Sequence, residues 1–231
     1  MTWSITARCA DTGELGVAVS TCVPGVGGLC PYVQAGAGAI STQSFVNPYI
    51  GIRGLTMLAE GQSAEDTKAG VLVFDPHPEL RQFAIVDAAG GVAAYSGDSC
   101  DGWYGHTIGD GFVVAGNMLI SADTISASAD YFHTSRGALA ERLLGALQAG
   151  QDAGGDKRGR QSAALKVCSI EEYALVDLRV DEHPDPVPEL RRVYTVAAEQ
   201  LFPFMTMLPT KSNPGGSFDP DASREMGILH D

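Results

Sequence analysis

Segments with strand character arrive in pairs along this chain, and the segments of helical spacing between them also arrive in pairs. That rhythm limits the fold more than any other feature of the sequence. Apolar runs over residues 4–9 and 15–21 flank a polar turn. A small-residue strand is expected over 34–43, where Gly36 and Gly38 suggest a bulge or a close backbone approach. Helical spacing then covers 49–60 and 63–74, broken at Gly61, with Ser63 and Asp66 in a capping pattern and Asp75-Pro76 as the stop. Two strand pairs follow, 82–87 with 92–96 and 103–108 with 112–117, each joined across a glycine-containing turn. Next come helices over 122–133 and 138–149, strands over 162–169 and 173–180, and a closing helix over 186–201 with Pro186 and Pro188 in its first turn. A doubly wound sheet would alternate single strands with single helices. Hairpins imply antiparallel sheets, and one arrangement buries every apolar face: an α+β, four-layer αββα sandwich, two antiparallel sheets face to face with helix pairs outside.

A chain of 231 residues, 45% hydrophobic, is long enough for one large core, expected over 1–202. Residues 203–231 differ, with Pro209, Pro214, Pro220 and two adjacent glycines, and read as a loosely ordered tail. Docking of that tail on a second copy in a homo-oligomer is the alternative, because Phe202, Phe204, Met205 and Met207 give it an apolar start. The net charge is −13, from 28 acidic against 15 basic residues, which argues against nucleic acid as a partner. Apolar runs fall short of the roughly 18–20 residues of a membrane span, and the opening residues lack a basic and then apolar leader, so a cytoplasmic protein is expected. Five scattered cysteines without a C-x-x-C pair read as buried reduced thiols.

Asp177, Arg179, Asp181 and His183 alternate along a strand and share one face. Asp181, His183 and Asp185 are metal-ligand types, but pairing of Arg179 with the acids and capping of the last helix by Asp185 explain them at lower cost. No metal and no cofactor are expected. A Cys100–His106 dyad lacks any group that orients the histidine. The loop 156–161 holds three of the 15 basic residues without a Walker pattern.

Several blocks carry a resemblance: Thr2-Trp3-Ser4-Ile5, residues 12–18, Thr42-Gln43-Ser44-Phe45-Val46-Asn47-Pro48, Gly116-Asn117-Met118-Leu119, residues 154–165 and 176–181, His183-Pro184-Asp185-Pro186 and Glu189-Leu190-Arg191. They resemble the bacterial family catalogued as domain of unknown function ten twenty-eight, in order over about residues 2–200, with the tail outside. That family is placed among proteins similar to the N-terminal-nucleophile (Ntn) hydrolases, which share the αββα sandwich. The resemblance implies the fold strongly and the chemistry less so, since the family's substrate is unassigned.

In Ntn enzymes the first residue of the mature chain is Thr, Ser or Cys; its side chain attacks an amide carbon and its α-amine is the base. An α-amine near roughly 7.7–8.0 accepts a proton at neutral pH, whereas a lysine near about 10.4 does not. Thr2 fits that role once Met1 is removed; the plainer reading is a β-branched residue opening an edge strand. Asn117 or the Gly116 amide is the candidate oxyanion donor, with strand-end capping as the plainer role of Asn117. Gln43 and Asn47, after an early strand, are candidate substrate contacts. So is Arg160, able to hold a carboxylate bidentately with Asp156 as orienter, unless the loop is a solvated turn. The expectation is hydrolysis of an amide-like bond in a small molecule or peptide; the alternative is a non-catalytic ligand-binding or interaction protein on the same fold.

Overall fold

The computed structural model describes residues 2–225 and 227. Ten strands form two antiparallel sheets. The larger sheet contains β1 (Thr2–Arg8), β2 (Leu15–Thr21), β7 (Trp103–Gly109), β8 (Phe112–Leu119), β9 (Ser162–Cys168) and β10 (Val176–Val180), in the order β10-β9-β2-β1-β8-β7. The smaller contains β3 (Pro31–Gln34), β4 (Gly38–Ser44), β5 (Arg81–Asp87) and β6 (Val92–Ser96), in sequence order. Helices α1 (Pro48–Ala59) and α2 (Ala64–Phe74) cover the outer face of the smaller sheet. Helices α3 (Asp123–Thr134) and α4 (Leu139–Asp152) cover that of the larger. The sheets pack on each other through β1 with β4 and β5 with β8, so the expected αββα sandwich is the observed one.

Two sequence expectations change. Residues 34–43 are not one strand: Gly36, at φ 72°, makes the turn of a β3–β4 hairpin in which Gln34 faces Gly38. Thr2 does not open an edge strand either. Strand β1 is paired on both sides, with β2 through Thr2↔Thr21 and with β8 through Thr2↔Asn117. The pattern Thr-Trp-Ser-Ile-Thr-Ala explains why it belongs inside. Its two faces are both buried, Trp3, Ile5 and Ala7 as well as Thr2, Ser4 and Thr6.

The chain divides within α5 (Pro186–Gln200) into two compact units, Met1–Leu190 and Arg191–Asp231, earlier than the boundary after residue 202 read from composition. The expected tail contains two short helices, α6 (Phe202–Met205) and α7 (Pro220–Glu225). Inside that second unit the rings of Tyr194 and Phe202 meet edge-on at 5.5 Å. The tail's residues 226 and 228–231 lie outside the described residues, as does Met1. Among the described residues no helix is long and apolar enough to cross a membrane.

Helix α4 presents Leu139, Leu143 and Leu147, one turn apart and fully buried, to β1, β2 and β9. Gly16 lets it come close, because a Cβ there would stand 2.8 Å from Leu143 Cδ1. Leu143→Ala is therefore expected to lower stability by about 2–5 kcal/mol in urea unfolding, since the sheet surface beneath it cannot collapse into the vacated space.

A second brace sits at the start of α1. Asn47 caps the helix by accepting from Tyr49 N (3.0 Å), and its Nδ2 donates to Asp75 Oδ2 (2.8 Å). Asp75 also receives Arg81 Nε (2.7 Å) and Nη2 (3.1 Å), while Arg81 Nη1 donates to Phe45 O (2.7 Å). Burial alone would raise the Asp75 pKa; hydrogen bonds from Arg81 and Asn47 overcome it and hold the carboxyl at about 2, below its ordinary 3.8. A depressed acid stabilises the fold above its unfolded pKa, and that contribution disappears as the pH falls through the folded value. The stability gap between wild type and Asp75→Asn should therefore be full at pH 5 and above, and close between about pH 4 and about pH 2. Thermal melts across that range measure it; a gap that stays constant would contradict the ion pair.

Candidate active site

Because β1 is a central strand, its first residue opens onto the seam between the sheets with a neighbour on either side. Thr2, 8% exposed, donates from Oγ1 to Thr21 Oγ1 at 3.1 Å, and Asn117 stands opposite on β8. Thr2, Thr21, Gln43 and Asn117 line a cleft of about 370 Å³. Its walls are mostly apolar (Val26, Leu29, Phe45 and Met118 among them), and Arg158 and Asp101 supply charge.

Behind the cleft, side-chain amides fill the space between the sheets. Gln43 and Gln82 are cross-strand partners on β4 and β5, and Gln43 Nε2 donates to Gln82 Oε1 at 2.9 Å. The same oxygen accepts from Asn117 Nδ2 at 2.9 Å. Gln82 Nε2 faces Gly116 O (2.8 Å), Ser96 Oγ (2.8 Å) and Gly105 O (3.1 Å). Gln43 in turn reaches Thr2 O through Nε2 (3.4 Å), and its Oε1 accepts from Ser4 Oγ (2.8 Å). Ser41 Oγ lies 3.0 Å from both Ser4 Oγ and Thr6 Oγ1; with the Ser4 hydrogen given to Gln43, Ser4 Oγ accepts from Ser41 while Thr6 donates to it. Such a layer is tolerable between sheets only when its polar groups find partners. Sequence reasoning missed Gln82, Ser4, Thr6 and Ser41. The signal was present in the alternation Thr2, Ser4, Thr6, and in one glutamine heading an otherwise apolar run, Gln82-Phe83-Ala84-Ile85-Val86.

Two backbone outliers border the cleft. Ser44 at φ 69° and Met118 at φ 50° are the only non-glycine residues with positive φ among those described, and both line it. Conformations of this kind cost about 1–3 kcal/mol and cluster where geometry is functional. Local hydrogen bonds hold Met118: its N–H donates to Asp101 O (2.8 Å) and its carbonyl accepts from Lys157 N (3.4 Å).

The remaining sequence candidates are distributed around this centre. Gly116 is adjacent to Asn117 but alternation turns it outward, where a Cβ would stand 3.1 Å from Ile125 of α3; its carbonyl receives Gln82. Asn47 caps α1 and braces the Phe45 loop from outside the cleft. Asp156 is buried and ties its loop to the end of β2, accepting from Cys22 N (3.0 Å), Arg158 N (2.7 Å) and Arg158 Nη2 (3.3 Å). Asp156 therefore orients Arg158, which lines the cleft, and not Arg160. Gly159, at φ 114°, turns the chain between the two arginines, and Arg160 Nη1 meets Asp185 Oδ1 at 2.8 Å.

Other reactive groups fall elsewhere. Cys30 lines the cleft, but burial pushes its thiol up to about 12, so it is protonated at neutral pH. Cys100 donates to Arg81 O and His106 Nδ1 sits 2.9 Å from Ser96 Oγ, so the two have different partners. Asp185 N donates to His183 Nδ1 (3.0 Å), and no group of three or more His, Cys, Asp or Glu side chains suited to a metal ion occurs among the described residues.

Comparison with known proteins follows the compact core. The family described as "Family of unknown function (DUF1028)" matches residues 2–190. The crystal structure of protein SPO2555 from Silicibacter pomeroyi, of that same family, is similar at 30% identity and a TM-score of 0.87, covering 94% of this chain and 96% of that one. Anbu (ancestral beta-subunit) from Yersinia bercovieri shares 11% identity at a TM-score of 0.39, covering 90% of this chain and 98% of its own. No curated protein matches the chain. By the extent of the family match and the agreement with a solved member, the chain belongs to the DUF1028 family.

Proposed function

We propose that this protein is an Ntn-type amidohydrolase acting on an amide-like bond of a small molecule or peptide, with Thr2 as nucleophile. The observation that carries the reading is the Thr2 hydroxyl lining a 370 Å³ cleft, at the head of a central strand, between Asn117 and Gln43. Removal of Met1 frees the Thr2 α-amine. The amine takes the Oγ1 proton as Oγ1 bonds to the amide carbon, and the carbonyl oxygen gains the charge. Asn117 Nδ2 gives one hydrogen to Gln82 and has a second for that oxygen. Collapse breaks the C–N bond, and the leaving nitrogen takes the proton from the ammonium. Water then attacks the Thr2 ester with the same amine as base, releasing the acid.

Thr21 Oγ1, at 3.1 Å, aims the hydroxyl, and Gln43 anchors the Thr2 carbonyl so that the strand end does not fray. Arg158, backed by Asp156, stands at the cleft for an anionic group of the substrate. The protonated Cys30 thiol is a poor competitor for the electrophile.

The test exposes Thr2 with a cleavable tag and treats the protein with a β-lactone that acylates hydroxyls and amines, followed by intact mass and peptide mapping. One adduct on the Thr2 hydroxyl is expected, lost in Thr2→Ala and in protein retaining Met1. An unmodified Thr2 in the trimmed protein would assign the cleft to ligand binding without turnover.

A further inference from the structure

Gln82 is fully buried behind the cleft, and its surroundings leave its carboxamide one orientation. One end lies 2.8 Å from Gly116 O and 3.1 Å from Gly105 O. Backbone carbonyls only accept, so this end is the NH2 group. The opposite end is then the oxygen, and it meets Gln43 and Asn117, each at 2.9 Å. An oxygen accepts and cannot donate, so both neighbours must turn their own NH2 groups toward it. The polarity passes outward from there: Gln43 Oε1 is left to accept from Ser4 Oγ, and Gln43 Nε2 to reach Thr2 O. Asn117 is left with one N–H and its Oδ1.

We infer that Gln82 is the positioning residue of the Thr2 site: by its single orientation it fixes which atoms Gln43 and Asn117 present to Thr2 and to the substrate. The consequence for acylation rests on the reading of Thr2 as nucleophile, whereas the orientation of the three amides does not. Gln82 touches neither Thr2 nor the cleft, so it acts only through these two neighbours. A reversed Gln82 would set its oxygen against two carbonyl oxygens and its NH2 against two other NH2 groups; turning Gln43 and Asn117 with it would relieve only the second clash, so the backbone carbonyls hold all three amides in one orientation.

Gln82→Glu separates positioning from bulk. Glutamic acid has the same shape, and when neutral it keeps one O–H for Gly116 O or Gly105 O and one oxygen for Gln43 and Asn117. Ionised, it drives a carboxylate oxygen against those carbonyls. Desolvation then raises its pKa, and the correct pattern returns as the pH falls. In Met1-free protein, β-lactone acylation of Thr2 is expected to be about 10²-fold slower in Gln82→Glu than in wild type near pH 8, the size of effect that misplacement of a reacting group produces. The ratio of variant to wild type should climb back toward one as the pH falls to about 5, although both rates fall as the amine is protonated. A ratio near one at every pH, or a deficit that does not change with pH in a folded variant, would overturn the inference, while labelling lost in Thr2→Ala would keep the nucleophile assignment standing. The orientation has its own readout in wild-type protein, a coupling across the hydrogen bond from the Gln82 side-chain nitrogen to the Gly116 carbonyl carbon by NMR. Its presence supports the orientation even if Thr2 proves unreactive, and a rapidly exchanging Gln82 NH2 without that coupling overturns it.

Discussion

The amide contacts around Thr2 trace back to one constraint: an amide buried between two sheets must satisfy both of its ends. Gln82 meets backbone carbonyls on one side and two side-chain amides on the other. An unmet buried donor or acceptor costs about 1–3 kcal/mol, comparable with burying one more aliphatic side chain, so the layer is stable only as a connected set. That sets where the polar part of the interface lies. Toward β9 and β3 the seam is filled by Leu15, Val17, Val33, Ala39 and Val86, and the hydrophilic stretch runs along β1 from Thr2 to Thr6. The apolar part holds the sheets together, and the amide part fixes the register in which they present a cleft.

The sequence carried the layers and most of the elements, because pairing of strand and helix segments is a local signal written in turns and periodicity. Ser63 caps α2 and Pro186 opens α5 where the residue types point. Where it failed, the missing information was nonlocal. Thr2 looks like an edge residue until β8, more than a hundred positions later in the chain, pairs with β1 from the other side. Gln82 looks like the polar start of an apolar strand until the carbonyl of Gly116 on β8 meets its side chain. Arg160 and Arg158 are indistinguishable by type, and only the turn at Gly159 and the buried Asp156 decide which one reaches the cleft. The small-residue run over 34–43 reads as continuous because alanine and glycine carry no periodicity that would mark the β3–β4 turn.

The neutrality of the groups bonded to Thr2 bears on the proposed chemistry. A lysine or aspartate used as the base would need its pKa moved by several units toward neutrality, through burial or a like charge. An α-amine already lies near roughly 7.7–8.0, and a site that employs one is best served by neighbours that leave that value alone. Hydroxyls and carboxamides are such neighbours: Thr21 and Gln43 carry no charge, and Asn117 stands opposite on β8. The nearby charged pair, Asp156 with Arg158, is joined to itself at 3.3 Å, so its fields largely cancel at a distance. The one thiol in the cleft is displaced in the other direction, since burial keeps Cys30 protonated. On the proposed mechanism an arrangement of uncharged amides would orient the Thr2 terminus, and its cost would be borne by the buried layer and by the strained backbone at Ser44 and Met118.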